Sequence, residues 1–291
     1  MTWKRILTAA VLIPLVVALV LRGSTAVVTL AMALVTLLAL FEYFSLGEAI
    51  GHRAYRFWTA TCALVLLYLQ WLAAVTPSFE LAGGLILRRA FGRFFLGLLA
   101  VHDGFFLFVV GVAVITLFTR RPLVEGLPAA GISASALLLV AFPLSFTVRL
   151  QALPSVGPWL LLFALVITWV GDTAAYFVGR AIGRHALAPH LSPKKTWEGA
   201  VASIAGSLLV ALVFTRWLNI APAHLYAMAA VGNVAGQTGD LLESAYKRSA
   251  GVKDSGSLLP GHGGILDRID ALILAIPVVW YYWSLFISSG K

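Results

Sequence analysis

Apolar residues in this chain come in long unbroken runs, neither alternating with period two nor confined to one stripe of a helix. The runs cover Ile6 to Leu21, Thr25 to Phe44, Phe57 to Val75, Phe94 to Phe118, Ile132 to Val148, Trp159 to Val178, Ala200 to Trp217, Pro222 to Leu242 and Ile269 to Ile287. Each reaches or approaches the roughly 20 residues that carry a helix across a bilayer core of about 30 Å. A helix satisfies its own backbone in lipid, whereas barrel strands would alternate. The pattern predicts an all-α polytopic integral membrane protein with about nine transmembrane helices. The first run follows Lys4 and Arg5 as a signal peptide would, but no small-residue cleavage site precedes a soluble domain, so it reads as a retained helix. The short piece Leu81 to Leu87 reads as interfacial. With no internal repeat or composition break, residues 1–291 read as a single membrane domain.

Composition removes the soluble alternative: 60% of residues are hydrophobic and 11% charged, too little polar surface for a water-soluble domain of this size. The net charge of +9 then bears on orientation. With the N-terminus inside, about 14 of the 21 bases fall on the cytoplasmic side, among them Lys4, Arg5, Arg53, Arg56, Arg120, Arg121, Arg180 and Arg184. The opposite side holds about 7, including the dissenting cluster Arg88, Arg89 and Arg93. The loops Gly179 to Gly199 and Lys247 to Arg268 then face the cytoplasm, where nucleoside triphosphates are found. The lone Cys62, inside an apolar run, reads as packing.

Charge is crowded into Gly239 to Asp270, GDLLESAYKRSAGVKDSGSLLPGHGGILDRID. If the helix entering it continues through Tyr246, then Asp240, Ser244 and Lys247 share one face. Asp267 and Asp270, three apart, share another. With Asp240 they offer the oxygen ligands that a hard divalent cation such as magnesium prefers. Between them, Pro260 to Gly264 reads as a turn whose backbone N–H groups form an anion nest, without the Gly-Lys-Ser/Thr ending of a Walker loop. His262 pairs with no nucleophile and reads equally as a cap, a hinge or a substrate contact. A salt-bridged surface loop would not need Asp240 and Asp270 at the membrane boundary, where carboxylates are expensive.

A second constellation runs from Gly171-Asp172-Thr173 to Ser192-Pro-Lys194-Lys195-Thr-Trp-Glu-Gly199. Asp172 lies inside an apolar run, so a metal, Arg180 or a residue of the long motif is expected as its partner. Ser192 reads as a helix N-cap with Pro193 in the first turn. Two lysines at a positive helix end are unfavourable without an anion, so Lys194 and Lys195 are expected to reach phosphate oxygens.

Ser244-Ala-Tyr-Lys247-Arg248, Lys253-Asp-Ser-Gly256, Pro260-Gly261-His262-Gly263-Gly264 and Asp267-Arg268-Ile-Asp270 together resemble the signature of the bacterial phosphatidate cytidylyltransferases, with the upstream elements in matching order. The resemblance is firm over roughly Trp169 to Asp270 and only architectural over the first 150 residues, where that family is diverse. It implies catalytic helices and cytoplasmic loops over about 159–287, and transfer of the cytidylyl group from CTP to phosphatidic acid, giving CDP-diacylglycerol and pyrophosphate. It also implies one or two magnesium ions, with room for a monovalent cation, held by Asp240 and Asp267 with Asp270 and Asp172 supporting. Lys194, Lys195, Lys247, Arg248 and Lys253 are candidates for phosphate contacts, and Ser192 and Ser244 for hydroxyl donors. Gly261, His262, Gly263, Gly264 and Arg268 complete the expected substrate-binding set. The expected setting is the bacterial inner membrane, with lipids around it and no nucleic-acid partner; a homodimer is admitted. His102 and Asp103 have no role in this reading.

Two other functions fit parts of the pattern. A CTP-dependent kinase of polyprenol-type lipids would move the γ-phosphoryl group and would need a base for the hydroxyl. A cation or proton transporter would also carry intramembrane acids, but it would spread them along a route and is often built from repeated halves.

Overall fold

A computed structural model describes residues 2–79, 101–119, 122–256, 258 and 263–288, without the side chains of residues 2–9 and 76–79. The interfacial piece Leu81 to Leu87, the bases Arg88, Arg89, Arg93, Arg120 and Arg121, and the site candidates Gly261 and His262 lie outside the described residues, as do the side chains of Lys4 and Arg5.

Helices dominate. In chain order they are α1 (Thr2–Arg22), α2 (Thr25–Ala49), α3 (Arg56–Phe79), α4 (Val101–Phe118), α5 (Gly126–Ala136), α6 (Phe142–Gln151), α7 (Gly157–Ile182), α8 (Trp197–Phe214), α9 (Pro222–Ser249) and α10 (Leu266–Phe286). Between α7 and α8 lies a short hairpin of β1 (Ala186–Ala188) and β2 (Ser192–Thr196). Among the described residues, seven helical segments are long and apolar enough to cross a membrane. They are α2, α3 over Arg56–Val75, α4, the composite Leu123–Gln151, α7, α8 and α10. The remaining two expected runs fall on α1 and α9. The protein is thus an all-α membrane protein.

The composite segment departs from a plain helix: a π-helical turn, Leu137–Ala141, joins α5 to α6. Pro143, at the start of α6, has no N–H to give to the ladder, and a locally widened turn is one way the chain accommodates that loss.

The chain divides into two compact units, Met1–Arg22 with Pro154–Lys291 and Gly23–Leu153. In the second, α3 packs on α2, α4 and α6, and Leu40, Phe44, Leu66, Leu67, Leu137 and Leu144 are fully buried. Cys62 is buried there as packing. Some polar groups between its helices pair with one another, because an apolar surrounding offers them no water to bond instead. Gln70 donates to Ser145 Oγ at 3.1 Å and accepts from Arg149. His102 Nε2 and Asp103 Oδ1 lie 3.3 Å apart at the start of α4.

In the first unit α7 lies along α8 and α9 along α10, with α8 also against α9 and α1 against α7. Its core includes Leu160, Leu161, Phe163, Ile167 and Leu218. At the far end from the hairpin, Trp159 and Trp217 stack at 5.5 Å between centroids. Helix α9 stops where Gly251 takes φ 70°, a conformation that costs glycine nothing. Its N–H reaches Arg248 O and that of Val252 reaches Lys247 O, satisfying the last carbonyls.

Candidate active site

Ser192 does not cap a helix. It opens β2, which pairs antiparallel with β1 in the register Ala186 to Thr196 and Ala188 to Ser192. The cap is Thr196, whose hydroxyl accepts from Gly199 N at 3.1 Å, and Glu198 supplies the acid of the first turn. Pro193 suits this two-stranded edge, since it has no N–H to pair. Lys194 and Lys195 therefore lie on an extended strand ahead of the helix, and the expectation drawn from a positive helix end does not apply to them. The hairpin is pinned to α8 by Trp197 N donating to His185 O at 2.9 Å and by His185 Nδ1 at 2.7 Å from Glu198 Oε1.

What the hairpin achieves is delivery. A cleft of about 380 Å³ in the first unit is lined by Asp172 from α7, Lys194 and Lys195 from β2, Asp240 from α9, and Asp267 and Asp270 from α10. Both sequence constellations meet in it. Asp172 finds its company among these groups. Lys195 Nζ lies 2.5 Å from Asp240 Oδ2, with each side chain 28% exposed.

Three carboxylates converge where α9 meets α10. Asp240, Glu243 and Asp270 each offer an oxygen, and these oxygens lie within 4.8 Å of one another, a spacing that can hold a metal ion. Like charges this close repel unless a cation joins them, so the donor set fits a hard divalent ion. Gly239 makes the meeting possible. A Cβ there would stand 2.5 Å from Asp270 O, backbone that cannot swing aside.

Glu243 was missed by sequence reasoning. Its signal was present: it lies three residues after Asp240, hence on the same helix face.

Asp267 lines the cleft, but its carboxylate serves other partners. Oδ1 lies 2.6 Å from Lys247 Nζ, while Oδ2 accepts from Ser255 N at 3.1 Å and Gly264 N at 2.8 Å. It thereby ties the loop after α9 to the start of α10. Gly264 N–H, expected in an anion nest, is spent on Asp267, and Gly263 beside it takes φ 79°. Lys247 also ion-pairs with Glu243, which is 5% exposed. Burial works against the Lys247 ammonium, yet hydrogen bonds and charge from Asp267 and Glu243 outweigh it and hold the pKa above the ordinary lysine value.

Among the remaining expected residues, Ser244 is half-buried on α9 and Ser192 half-buried at the start of β2. Arg248 donates to Leu191 O at 3.4 Å and Val252 O at 3.1 Å, bridging the end of α9 to the hairpin turn. Lys253 is exposed in the loop, and Arg268 is exposed in the first turn of α10. None of these five lines the cleft.

Known proteins are similar to this chain in sequence. A phosphatidate cytidylyltransferase of Haemophilus influenzae is 42% identical over 136 residues, 45% of this chain and 47% of the relative. One of Bacillus subtilis is 36% identical over 179 residues, 60% of this chain and 66% of the relative. One of Brucella suis is 35% identical over 251 residues, 76% of this chain and 89% of the relative. The match thus spans about half the length of the Haemophilus relative and most of the Brucella one. Residues 3–286 match the model of the cytidylyltransferase family, and the chain belongs to that family.

Proposed function

We propose that this chain is a phosphatidate cytidylyltransferase, joining the phosphate of phosphatidic acid to the α-phosphorus of CTP and releasing pyrophosphate. The observation that carries this reading is the gathering of four carboxylates and two lysines in one cleft among membrane-spanning helices. Lipid and nucleotide can meet there without either leaving its phase.

The new bond forms between a phosphatidate oxygen and the α-phosphorus, and the bond to the β-phosphate bridge breaks. The nucleophile is already an anion, so the protein needs no strong base. Its task is positioning and charge. Asp240, Glu243 and Asp270 would hold magnesium, which when bound supplies the positive charge that lets two anionic phosphates approach. Lys194 and Lys195 neutralise the departing pyrophosphate. Ser192 and Ser244, which do not line the cleft, take no part in this reading. Asp267 holds Lys247 and the Gly264 loop in place, keeping the start of α10 registered against α9. The cleft opens to the cytoplasm of a bacterial inner membrane, as the distribution of bases favours.

Incubation of purified protein with labelled CTP, phosphatidic acid and magnesium tests this. Labelled CDP-diacylglycerol and free pyrophosphate are expected. Release of CDP with a phosphorylated lipid alcohol would make the protein a lipid kinase instead.

A further inference from the structure

One polar side chain in the cleft has no task in the reaction described above. Gln237 lies three residues before Asp240 on α9 and lines the same cleft. Its carboxamide is oriented by an unambiguous partner. Ala200 O, a backbone carbonyl of α8, can only accept, so the atom 3.2 Å from it is the NH₂ end. Nε2 also donates to Asn233 Oδ1 at 2.7 Å, and Asn233 Nδ2 donates to Ser203 Oγ at 2.9 Å. Asn233 is 2% exposed, so flipping either amide would strand buried polar groups. Both Gln237 protons are used, and the carbonyl Oε1 is the end that remains for the cleft. A buried ladder thus holds one neutral acceptor at fixed orientation among charged neighbours.

Such an acceptor suits a neutral donor. Phosphatidic acid, fully acylated, has no N–H and no hydroxyl outside its phosphate. CTP has the two ribose hydroxyls and the 4-amino group of its base. A hydroxyl turns to donate or accept and asks for no oriented partner, whereas the amino group only donates, and uracil carries an acceptor in its place. We propose that Gln237 Oε1 accepts a hydrogen bond from the cytosine 4-amino group and so selects CTP over UTP. This rests on the cytidylyltransferase reading above. A uracil O4 set against a fixed carbonyl would leave both unpaired, a strong form of rejection.

The test uses the full-length protein in detergent with phosphatidic acid, comparing CTP, dCTP, UTP and the triphosphate of the 4-deamino pyrimidin-2-one riboside. With the unmodified protein, kcat/KM should fall roughly 10- to 100-fold from CTP to the deamino analogue. Gln237→Met should lose about as much with CTP and nothing further with the analogue, because the two changes remove one interaction. Equal use of CTP and the analogue by the unmodified protein overturns the proposal without recourse to any variant. So does a Gln237→Met defect of the same size with both, including one accompanied by weaker Mn²⁺ binding, which would place Gln237 on the metal. A Gln237→Met defect that disappears with dCTP would move the contact to the ribose and overturn it as well. If the unmodified protein makes no liponucleotide from CTP, the activity itself is misread, a failure distinct from the loss of base selection alone.

Discussion

Lys195 on the hairpin and Asp240 on α9 close the cleft as an ion pair, Nζ to Oδ2 at 2.5 Å. The lysine thus occupies the carboxylate that the proposed magnesium would also use. The proposed cation and the Lys195 ammonium would compete for one oxygen. On the proposed reading, the phosphates of CTP would offer the ammonium another partner and release Asp240.

Lys195→Met should therefore act in two directions. Turnover should fall roughly 10- to 100-fold, the loss of one charge-assisted contact. Without nucleotide, Mn²⁺ should bind more tightly than in the unmodified protein, measured by titration of the free-ion EPR signal. Unchanged Mn²⁺ affinity would remove Lys195 from that competition.

Asp240→Asn, Glu243→Gln and Asp270→Asn should each weaken Mn²⁺ binding and abolish most turnover, since a neutral amide keeps shape and loses charge. Asp267→Asn should behave differently. It takes from the Lys247 ammonium one of its two carboxylate partners, leaving Glu243, and weakens the acceptor of Ser255 N and Gly264 N, so stability should drop by about 1 to 3 kcal/mol. Thermal unfolding in detergent alongside Mn²⁺ titration separates the two classes. A large loss of Mn²⁺ affinity in folded Asp267→Asn would return it to the metal.

Gly239→Ala adds a methyl 2.5 Å from Asp270 O. Overpacking against backbone should cost about 1 to 3 kcal/mol and pull Asp240 away from Asp270. Activity should fall more than stability, read from kcat and the melting temperature of the same preparation.

Cysteines placed at Ala186 and Gly256 in a Cys62→Ala background should react only with reagents that enter the cytoplasm. Labelling from outside intact cells would invert the proposed orientation.

Much of this architecture was legible without coordinates. Among the described residues the apolar runs fall on helices because in lipid a span must satisfy its own backbone, and hydropathy alone reports that demand. The carboxylates Asp172, Asp240 and Asp270 stood out for the same reason, as ionisable groups in apolar surroundings. What sequence spacing could not decide was partnership across the chain. Ser-Pro-Lys-Lys-Thr fits a helix start and a strand equally well by local preference, and only pairing with Ala186 to Ala188 made it β2, moving the cap to Thr196. Asp267 and Glu243 could each be drawn to Lys247 or to a metal. In the assembled structure both pair with Lys247. Local periodicity specifies which face a residue occupies, while which group on a distant helix answers it is a matter of packing distance, and that is known only once the helices are assembled.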